Sequence, residues 1–181
     1  MIKVHLGCGQ RNFGKDWFHV DGSTEHEHIK HHDIINLPFD KETVSLIYAS
    51  HVIEYFDRQE FSVVLKKWYS YLVPGGVLRL AVPNFKTMAE LYIEKNEPLS
   101  SFLGPLYGRM VMNNSFIYHK TVYDFDSLED VLKDTGFKNV HEYDWRVTEP
   151  HNKFDDHSQA YIPHLDKENG VCISLNVECS K

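Results

Sequence analysis

Short apolar runs alternate along this chain with stretches of helical spacing, and that alternation predicts an α/β protein with a parallel sheet. In the first half, strand-like runs lie at residues 2–6, 18–21, 30–33, 43–49 and 77–82, the last after the turn Pro74-Gly75-Gly76. Two more strands are predicted at residues 140–143 and 171–177. In the final run, Val171, Ile173, Leu175 and Val177 alternate with other residues, which is typical of a half-buried strand.

Helices are predicted between the later strands. Asp57 and Glu60 stand three apart, a variant of the capping box, and open a helix that reaches residue 72. Its inward positions are Phe61, Val64, Leu65, Trp68 and Leu72. Further helices are predicted at residues 85–94 and 127–134, with Gly136 as the C-terminal stop of the second. A chain of 181 residues suggests one domain, residues 1–181.

The first strand ends in Gly7-Cys8-Gly9 and the second ends in Asp21. Glycines let a backbone approach a ligand closely, and an acidic residue at the tip of the neighbouring strand is where α/β sheets hold ribose hydroxyls. The pair predicts a site for a nucleoside-containing cofactor. The alternative is a purely structural turn.

The spacing distinguishes between cofactors. A dinucleotide fingerprint needs a third glycine, and Asn12 stands in that position. Only the seven residues 10–16 separate the glycines from the next apolar stretch, which is too short for a crossover helix whose N-terminus would hold a pyrophosphate. S-adenosylmethionine has adenine and ribose but no pyrophosphate, so the residues favour it over a dinucleotide.

Further motifs follow in order. They are Asp33 with Leu37-Pro38-Phe39, then Ser50-His51-Val52-Ile53-Glu54-Tyr55, then Leu72-Val73-Pro74-Gly75-Gly76. From about residue 3 to residue 84 the chain resembles a class I S-adenosylmethionine-dependent methyltransferase, of a bacterial branch with a shortened first crossover. It departs from that branch at Ile53 and Tyr55, where the family more often has Leu and His.

The resemblance implies a Rossmann-like, doubly wound, mostly parallel seven-stranded sheet whose last strand is antiparallel. It also implies S-adenosyl-L-methionine as the cofactor. The expected cofactor-binding residues are Leu6, Gly7, Cys8, Gly9, Asp21, Gly22, Asp33, Ile34, Ser50 and His51.

Two stretches lie outside these core elements, at residues 97–126 and 146–170. No helices precede the first strand to cover a substrate, so we expect these segments to close over the carboxyl edge of the sheet. A second copy of the chain in a homodimer would be the other source of a substrate wall. The same reasoning places His119 beside the cofactor pocket, facing His51.

Histidine suits the task of a general base for an oxygen nucleophile, and His51 and His119 are the catalytic candidates. Candidate substrate contacts are Glu54, Asn84, Tyr118, Tyr123, Arg146 and His157. A structural role is the alternative for each. The expected reaction is methyl transfer to a small hydroxylated metabolite or saccharide. The rivals are a catalytically inactive binding module of regulatory function and, less favoured, a dinucleotide-dependent oxidoreductase.

Composition limits the kinds of partner and the cellular location that we expect for this chain. With 26 acidic and 19 basic residues the net charge is −7, and no basic stripe is visible, so a nucleic-acid substrate is not expected. No apolar run is long enough for a membrane span, and the N-terminus does not have the pattern of a signal peptide.

Cys8, Cys172 and Cys179 form neither a disulfide framework nor a metal pattern, which favours reduced thiols in the cytoplasm. A metal at His26, His28, His31 and His32 is disfavoured against a solvated loop.

We predict that the chain binds S-adenosylmethionine or its demethylated product and does not bind NAD tightly, because the short crossover offers no helix N-terminus to a pyrophosphate. Isothermal calorimetry with the three compounds measures this. Tight binding of NAD without binding of either sulfur compound would contradict the prediction.

Overall fold

The computed structural model describes residues 1–23, 26–112 and 114–181, and a seven-stranded sheet lies at its centre. The sheet strands are β1 (Ile2–Leu6), β2 (Trp17–Val20), β3 (Ile29–His31), β4 (Val44–Ser50), β5 (Leu72–Pro83), β8 (Lys138–Glu142) and β11 (Ser174–Ser180). Their spatial order is β3-β2-β1-β4-β5-β11-β8. Strands β1 to β5 pair in parallel, whereas β11 is antiparallel to both of its neighbours. This confirms the predicted fold class, including the antiparallel last strand.

Four α-helices occur in the described part of the chain: α1 (Arg58–Tyr71), α2 (Phe85–Glu94), α3 (Ser100–Tyr107) and α4 (Phe125–Thr135). The capping box of α1 is present, since Asp57 accepts hydrogen bonds from the backbone N–H groups of Gln59 and Glu60. Gly136 ends α4 in the left-handed conformation, with φ of 111°, as the sequence predicts.

Helices α1 and α4 cover one face of the sheet with apolar side chains. The connections from β4 to β5 and from β5 to β8 run in the same direction along the sheet, and right-handed crossovers therefore place both helices on the same side. The strands supply this core with Val4, Leu6, Ile47, Ala49, Leu78, Leu80, Leu175 and Val177, and the helices with Phe61, Leu65, Trp68, Leu128 and Leu132. Burial of these side chains is the main driving force for folding.

The opposite face of the sheet is polar and aromatic. Within the described residues, no helix lies in the connections from β1 to β2, β2 to β3 or β3 to β4. This face bears buried His5, His19, Tyr48, Ser50, Ser174 and Asn176. It is covered instead by Phe13, whose ring stacks on His5 at 4.1 Å between centroids, and by the chain from residue 143 to residue 162.

Asp156 anchors that covering segment to the sheet. Its carboxylate accepts a hydrogen bond of 2.6 Å from the Tyr48 hydroxyl on β4 and another from the Ser158 hydroxyl, and it lies 3.5 Å from Nδ1 of buried His151. Burial by itself would raise the pKa of Asp156, but the interactions with His151, Ser158 and Tyr48 outweigh burial and hold the pKa well below its usual range. Burial also raises the pKa of Tyr48, so its hydroxyl remains a donor.

Three details of the predicted elements are wrong. Residues 74–76 do not separate a helix from a strand, because β5 already begins at Leu72 and accommodates the turn as an irregularity. The strand predicted at 171–177 is broken at Ile173 into a short β10 (Val171–Cys172), which pairs with β9 (Tyr161–Ile162), and the main strand β11. In β11 both faces are buried, because the covering segment lies over Ser174 and Asn176.

Residues 97–126 are more ordered than the sequence predicts. They form α3 and a small hairpin of β6 (Met110–Met112) and β7 (Ser115–Ile117). Cys8, Cys172 and Cys179 are free. In the described part of the chain, no helix combines the length and the apolar character that crossing a bilayer requires.

We predict that Asp156→Ala lowers the free energy of unfolding by at least about 1.5–3 kcal/mol, because the substitution removes hydrogen bonds to a buried charged group and leaves the Tyr48 hydroxyl without its acceptor. Urea denaturation at neutral pH measures the loss. Asp155→Ala is the matched control, since Asp155 is exposed and its ion pair with Lys167 lies at the surface.

The contribution of Asp156 to the free energy of unfolding depends on pH. The pKa of Asp156 is lower in the folded chain than in the unfolded chain, so the stabilisation is complete above about pH 4 and declines as the pH falls further. The stability difference between wild type and Asp156→Ala should therefore narrow in acid. A constant difference down to the acid transition would contradict the assignment.

Candidate functional site

The glycine turn after β1 combines one crowded glycine and one open glycine. A Cβ on Gly7 would lie 2.3 Å from Cγ2 of Val52, and the residue has φ of 62°, so the turn packs directly against the chain that follows β4. Gly9 also has a positive φ, of 50°, but no atom lies within 4 Å of its would-be Cβ. Gly7 therefore serves the packing of the turn, whereas Gly9 borders open space.

Asp21 holds the turn in place. Its carboxylate accepts a hydrogen bond of 2.7 Å from the backbone N–H of Gly9 and one of 2.8 Å from that of Ser23. The side chain is buried at the carboxyl end of β2. Two of the roughly four lone-pair positions of a carboxylate are used in this way, which leaves acceptor capacity for hydroxyl groups.

Three other predicted cofactor residues are Asp33 and Ile34, which follow β3, and Gly22, which follows Asp21. Asp33 accepts hydrogen bonds from the backbone N–H groups of Ile35 and Asn36, and the Ile34 carbonyl accepts one from the Trp68 indole, so this loop is fixed to α1. A Cβ on Gly22 would lie 3.1 Å from the sulfur of Met112, so the β6–β7 hairpin packs against the chain that follows β2.

Leu6 and Cys8 offer backbone rather than side chains at this edge of the sheet. The Leu6 side chain is fully buried in the core beneath the helices. Burial, followed by the charge of Asp21, raises the pKa of the Cys8 thiol to about 12, so it stays protonated.

The chain turns sharply after β4. His51 has a left-handed backbone, with φ of 52°, and its N–H donates to the Ala81 carbonyl on β5. Nδ1 of its ring lies 3.0 Å from Oε1 of Glu54, and Nε2 is buried without a hydrogen-bond partner among the described residues. The Ser50 hydroxyl is buried and also lacks a partner there. Unpartnered buried polar groups of this kind are uncommon and often mark functional sites.

Glu54 lies under His51 and His119 and is fully buried. Nε2 of His119 is 3.8 Å from Oε1 of Glu54, and Nδ1 of His119 is 2.9 Å from the Pro105 carbonyl. Burial lowers the pKa of His119, although the charge of Glu54 works in the opposite direction. Two histidines from distant parts of the chain thus meet at one carboxylate.

A cavity of about 650 Å³ opens above this cluster. Its wall comes from the end of β4, from α3 and the chain after it, and from residues 157–173, so both segments outside the core elements contribute. His51, His119 and His157 line it, together with Tyr55, Glu97, Ser101, Gly104, Pro105, Gly108, Arg109, Met110, Ala160, Tyr161, Ile162, Pro163, His164 and Ile173.

The remaining predicted substrate contacts do not line the cavity. Asn84 caps α2 by accepting from the Thr87 N–H, Tyr118 is exposed, and Tyr123 is buried near Glu54 with its ring against Phe61. The guanidinium of Arg146 donates to the Tyr161 hydroxyl, so it stands behind a cavity residue. Sequence spacing cannot show these positions, because it does not report which side of a loop faces inward.

Tyr55 and Gly108 are cavity residues that the sequence analysis did not select. The Tyr55 hydroxyl donates to the Gly108 carbonyl, and its ring meets His119 edge-on at 4.7 Å. A Cβ on Gly108 would lie 2.0 Å from Nε2 of His119, so glycine is needed for the imidazole to fit. The departure from the family pattern at Tyr55 was the one feature of the sequence that could have pointed to this residue.

Among the described residues, no group of three or more His, Cys, Asp or Glu side chains is arranged to hold a metal ion.

Comparison with known proteins bears on the first half of the chain and on the fold. Residues 5–80 match a family model described as a methyltransferase domain. No curated protein sequence gives a significant match to the chain.

Solved structures share the whole fold. An S-adenosylmethionine-dependent methyltransferase of Archaeoglobus fulgidus is 14% identical with a TM-score of 0.58, and the alignment covers 99% of this chain and 86% of that one. One from Thermotoga maritima, described as a possible histamine N-methyltransferase, is 16% identical with a TM-score of 0.60 over 99% and 82% of the chains. One from Methanosarcina mazei is 14% identical with a TM-score of 0.59 over 98% and 91%.

At these identities the structures show the fold alone, and the family model covers less than half of the chain. The chain therefore has the fold of S-adenosylmethionine-dependent methyltransferases, and residues 5–80 are similar to a methyltransferase domain.

Proposed function

We propose that this enzyme methylates a hydroxyl oxygen of a small metabolite or saccharide held in the 650 Å³ cavity, with His51 as the general base. The observation that carries the proposal is the position of the His51 imidazole. It lines the cavity, and its Nε2 has no protein partner among the described residues. An acceptor hydroxyl within hydrogen-bond reach of that nitrogen would lose its proton to it.

The residues at the glycine turn fit the cofactor. The open space at Gly9 admits a ligand against the backbone, and Asp21 keeps lone pairs for the two ribose hydroxyls. When bound, S-adenosylmethionine supplies a methyl carbon that the positive sulfonium makes electrophilic. The protein's part is to align the acceptor oxygen behind that carbon and to exclude water.

His119 is less suited than His51 to take a proton from the acceptor. Its Nδ1 is engaged by the Pro105 carbonyl, and its Nε2 faces Glu54. We therefore propose that His119 has a structural role beside the site and that His51 is the general base.

The size and lining of the cavity favour a small acceptor. Its volume lies in the usual range for sites of small ligands, about 300–1,000 Å³. Histidine and tyrosine side chains offer hydrogen bonds for hydroxyl groups, and Met110, Ile162 and Ile173 offer apolar contact. The inactive binding module is the rival proposal. A homodimer and a cytoplasmic location stay predictions.

We predict that Asp21→Ala weakens binding of S-adenosylmethionine by about 1.5–3 kcal/mol, because hydrogen bonds to the carboxylate are lost. Calorimetry measures the change. Asp16→Ala, an exposed position in the same crossover, is the control and should bind as wild type. Equal affinities of the two variants would remove Asp21 from the site.

We predict that His51→Gln lowers kcat by about 10²–10⁴-fold, the usual contribution of a general base. The assay follows labelled methyl from S-adenosylmethionine across a panel of sugars, hydroxy acids and peptides. His141→Phe, at an exposed histidine on β8, should keep full turnover. Cofactor binding without product across the whole panel would favour the inactive module instead.

A further inference from the structure

Glu54 is a buried carboxylate that faces two imidazoles. Its side chain is fully buried, no hydroxyl or amide of a described residue donates to its oxygens, and the nearby ring nitrogens belong to His51 and His119. Its backbone carbonyl accepts from the N–H groups of Lys120 and Thr121, which fixes the main chain but not the carboxylate. A buried ionisable group is costly unless it is paired, so its retention at the floor of a cavity points to a functional role.

The nearest donor to Glu54 is His51. Oε1 lies 3.0 Å from Nδ1 of His51. His119 is further away, at 3.8 Å, and cannot donate from Nε2 while neutral, because the Pro105 carbonyl can only accept and so fixes its proton on Nδ1. The hydroxyls of Tyr55 and Tyr123 do not serve either, since the first donates to Gly108 and the second has no partner in the described structure.

We infer that Glu54 is a positioning residue that holds the proton of neutral His51 on Nδ1. With the opposite tautomer, a lone pair of Nδ1 would face a carboxylate oxygen at 3.0 Å. Two hydrogen-bond acceptors would then be in contact in a buried place, which is unfavourable. With the proton on Nδ1, the lone pair of the ring is left on Nε2. This inference rests on the proposed function, in which His51 Nε2 receives the acceptor's proton.

The same contact stabilises the product of that step. When the proton of the acceptor hydroxyl moves to Nε2, His51 becomes an imidazolium, and the negative charge of Glu54 beside Nδ1 favours it. The other titratable groups around the pair are His119, His157, Tyr55 and Tyr123. Burial, followed by the charge of Glu54, raises the pKa of Tyr55 to about 12 and raises that of Tyr123, so both stay neutral. The full negative charge in this group is that of Glu54.

The first test needs no turnover. Nitrogen NMR of protein labelled in histidine rings reports which nitrogen of His51 carries the proton. Wild type and Glu54→Asp should show the proton on Nδ1. Glu54→Gln should show a mixture of tautomers, because an amide offers an N–H as readily as a carbonyl. Glu90→Gln, an exposed glutamate on α2, is the matched control and should resemble wild type.

The second test uses an acceptor found in the panel. Glu54→Gln should lower kcat by about 10²-fold or more, with KM and cofactor affinity nearly unchanged, and Glu54→Asp should recover part of the loss. A purely structural role would not lower kcat alone while KM and cofactor affinity stay nearly unchanged.

The two tests separate the inference from the proposed function. An unchanged His51 tautomer in Glu54→Gln overturns the role of Glu54, whether or not an acceptor is known. So does a wild-type kcat in that variant. An Nδ1 proton in wild type that is lost in Glu54→Gln supports the role of Glu54, even if the panel yields no product and the proposed reaction fails.

Discussion

The length of the first crossover constrains the rest of this structure. Seven residues join the glycine turn to the next apolar stretch, and they cannot form the helix that usually covers that face of a doubly wound sheet. The face must still be buried, and the chain from residue 143 to residue 162 covers it. Asp156 fixes this segment through Tyr48 and caps the short turn His157–Gln159. The turn and the residues after it then form one wall of the cavity.

The two faces of the sheet consequently have different chemistry. The helix-covered face is apolar throughout, and its packing accounts for most of the hydrophobic core. The other face contains His5, Tyr48 and Asn176, which are buried with polar partners or stacked rings. Polar groups in such a place stabilise one arrangement of the covering segment rather than many, since each needs its own partner. The part of the cavity wall that residues 157–173 form is thereby positioned by hydrogen bonds rather than by an α-helix.

The candidate site itself depends on close approach of backbone. Gly7 lets the turn after β1 contact Val52, and Gly108 lets the ring of His119 lie against the main chain. These contacts bring the end of β4, the glycine turn and the chain after α3 within reach of one another. His51 and His119 are 68 positions apart in the sequence, yet both lie beside Glu54.

The sequence by itself determined the strands of the central sheet, the helices α1, α2 and α4, and the caps at Asp57 and Gly136. These follow from local periodicity, from glycine spacing and from rules of parallel sheets, all of which can be recognised in short stretches of sequence. Only the tertiary structure decided that Glu54 lies beneath the cavity rather than on its wall, and that Tyr55 and His164 line the cavity. The reason is physical: which face of a loop is buried depends on what another part of the chain places against it, and here that part is more than 40 residues away.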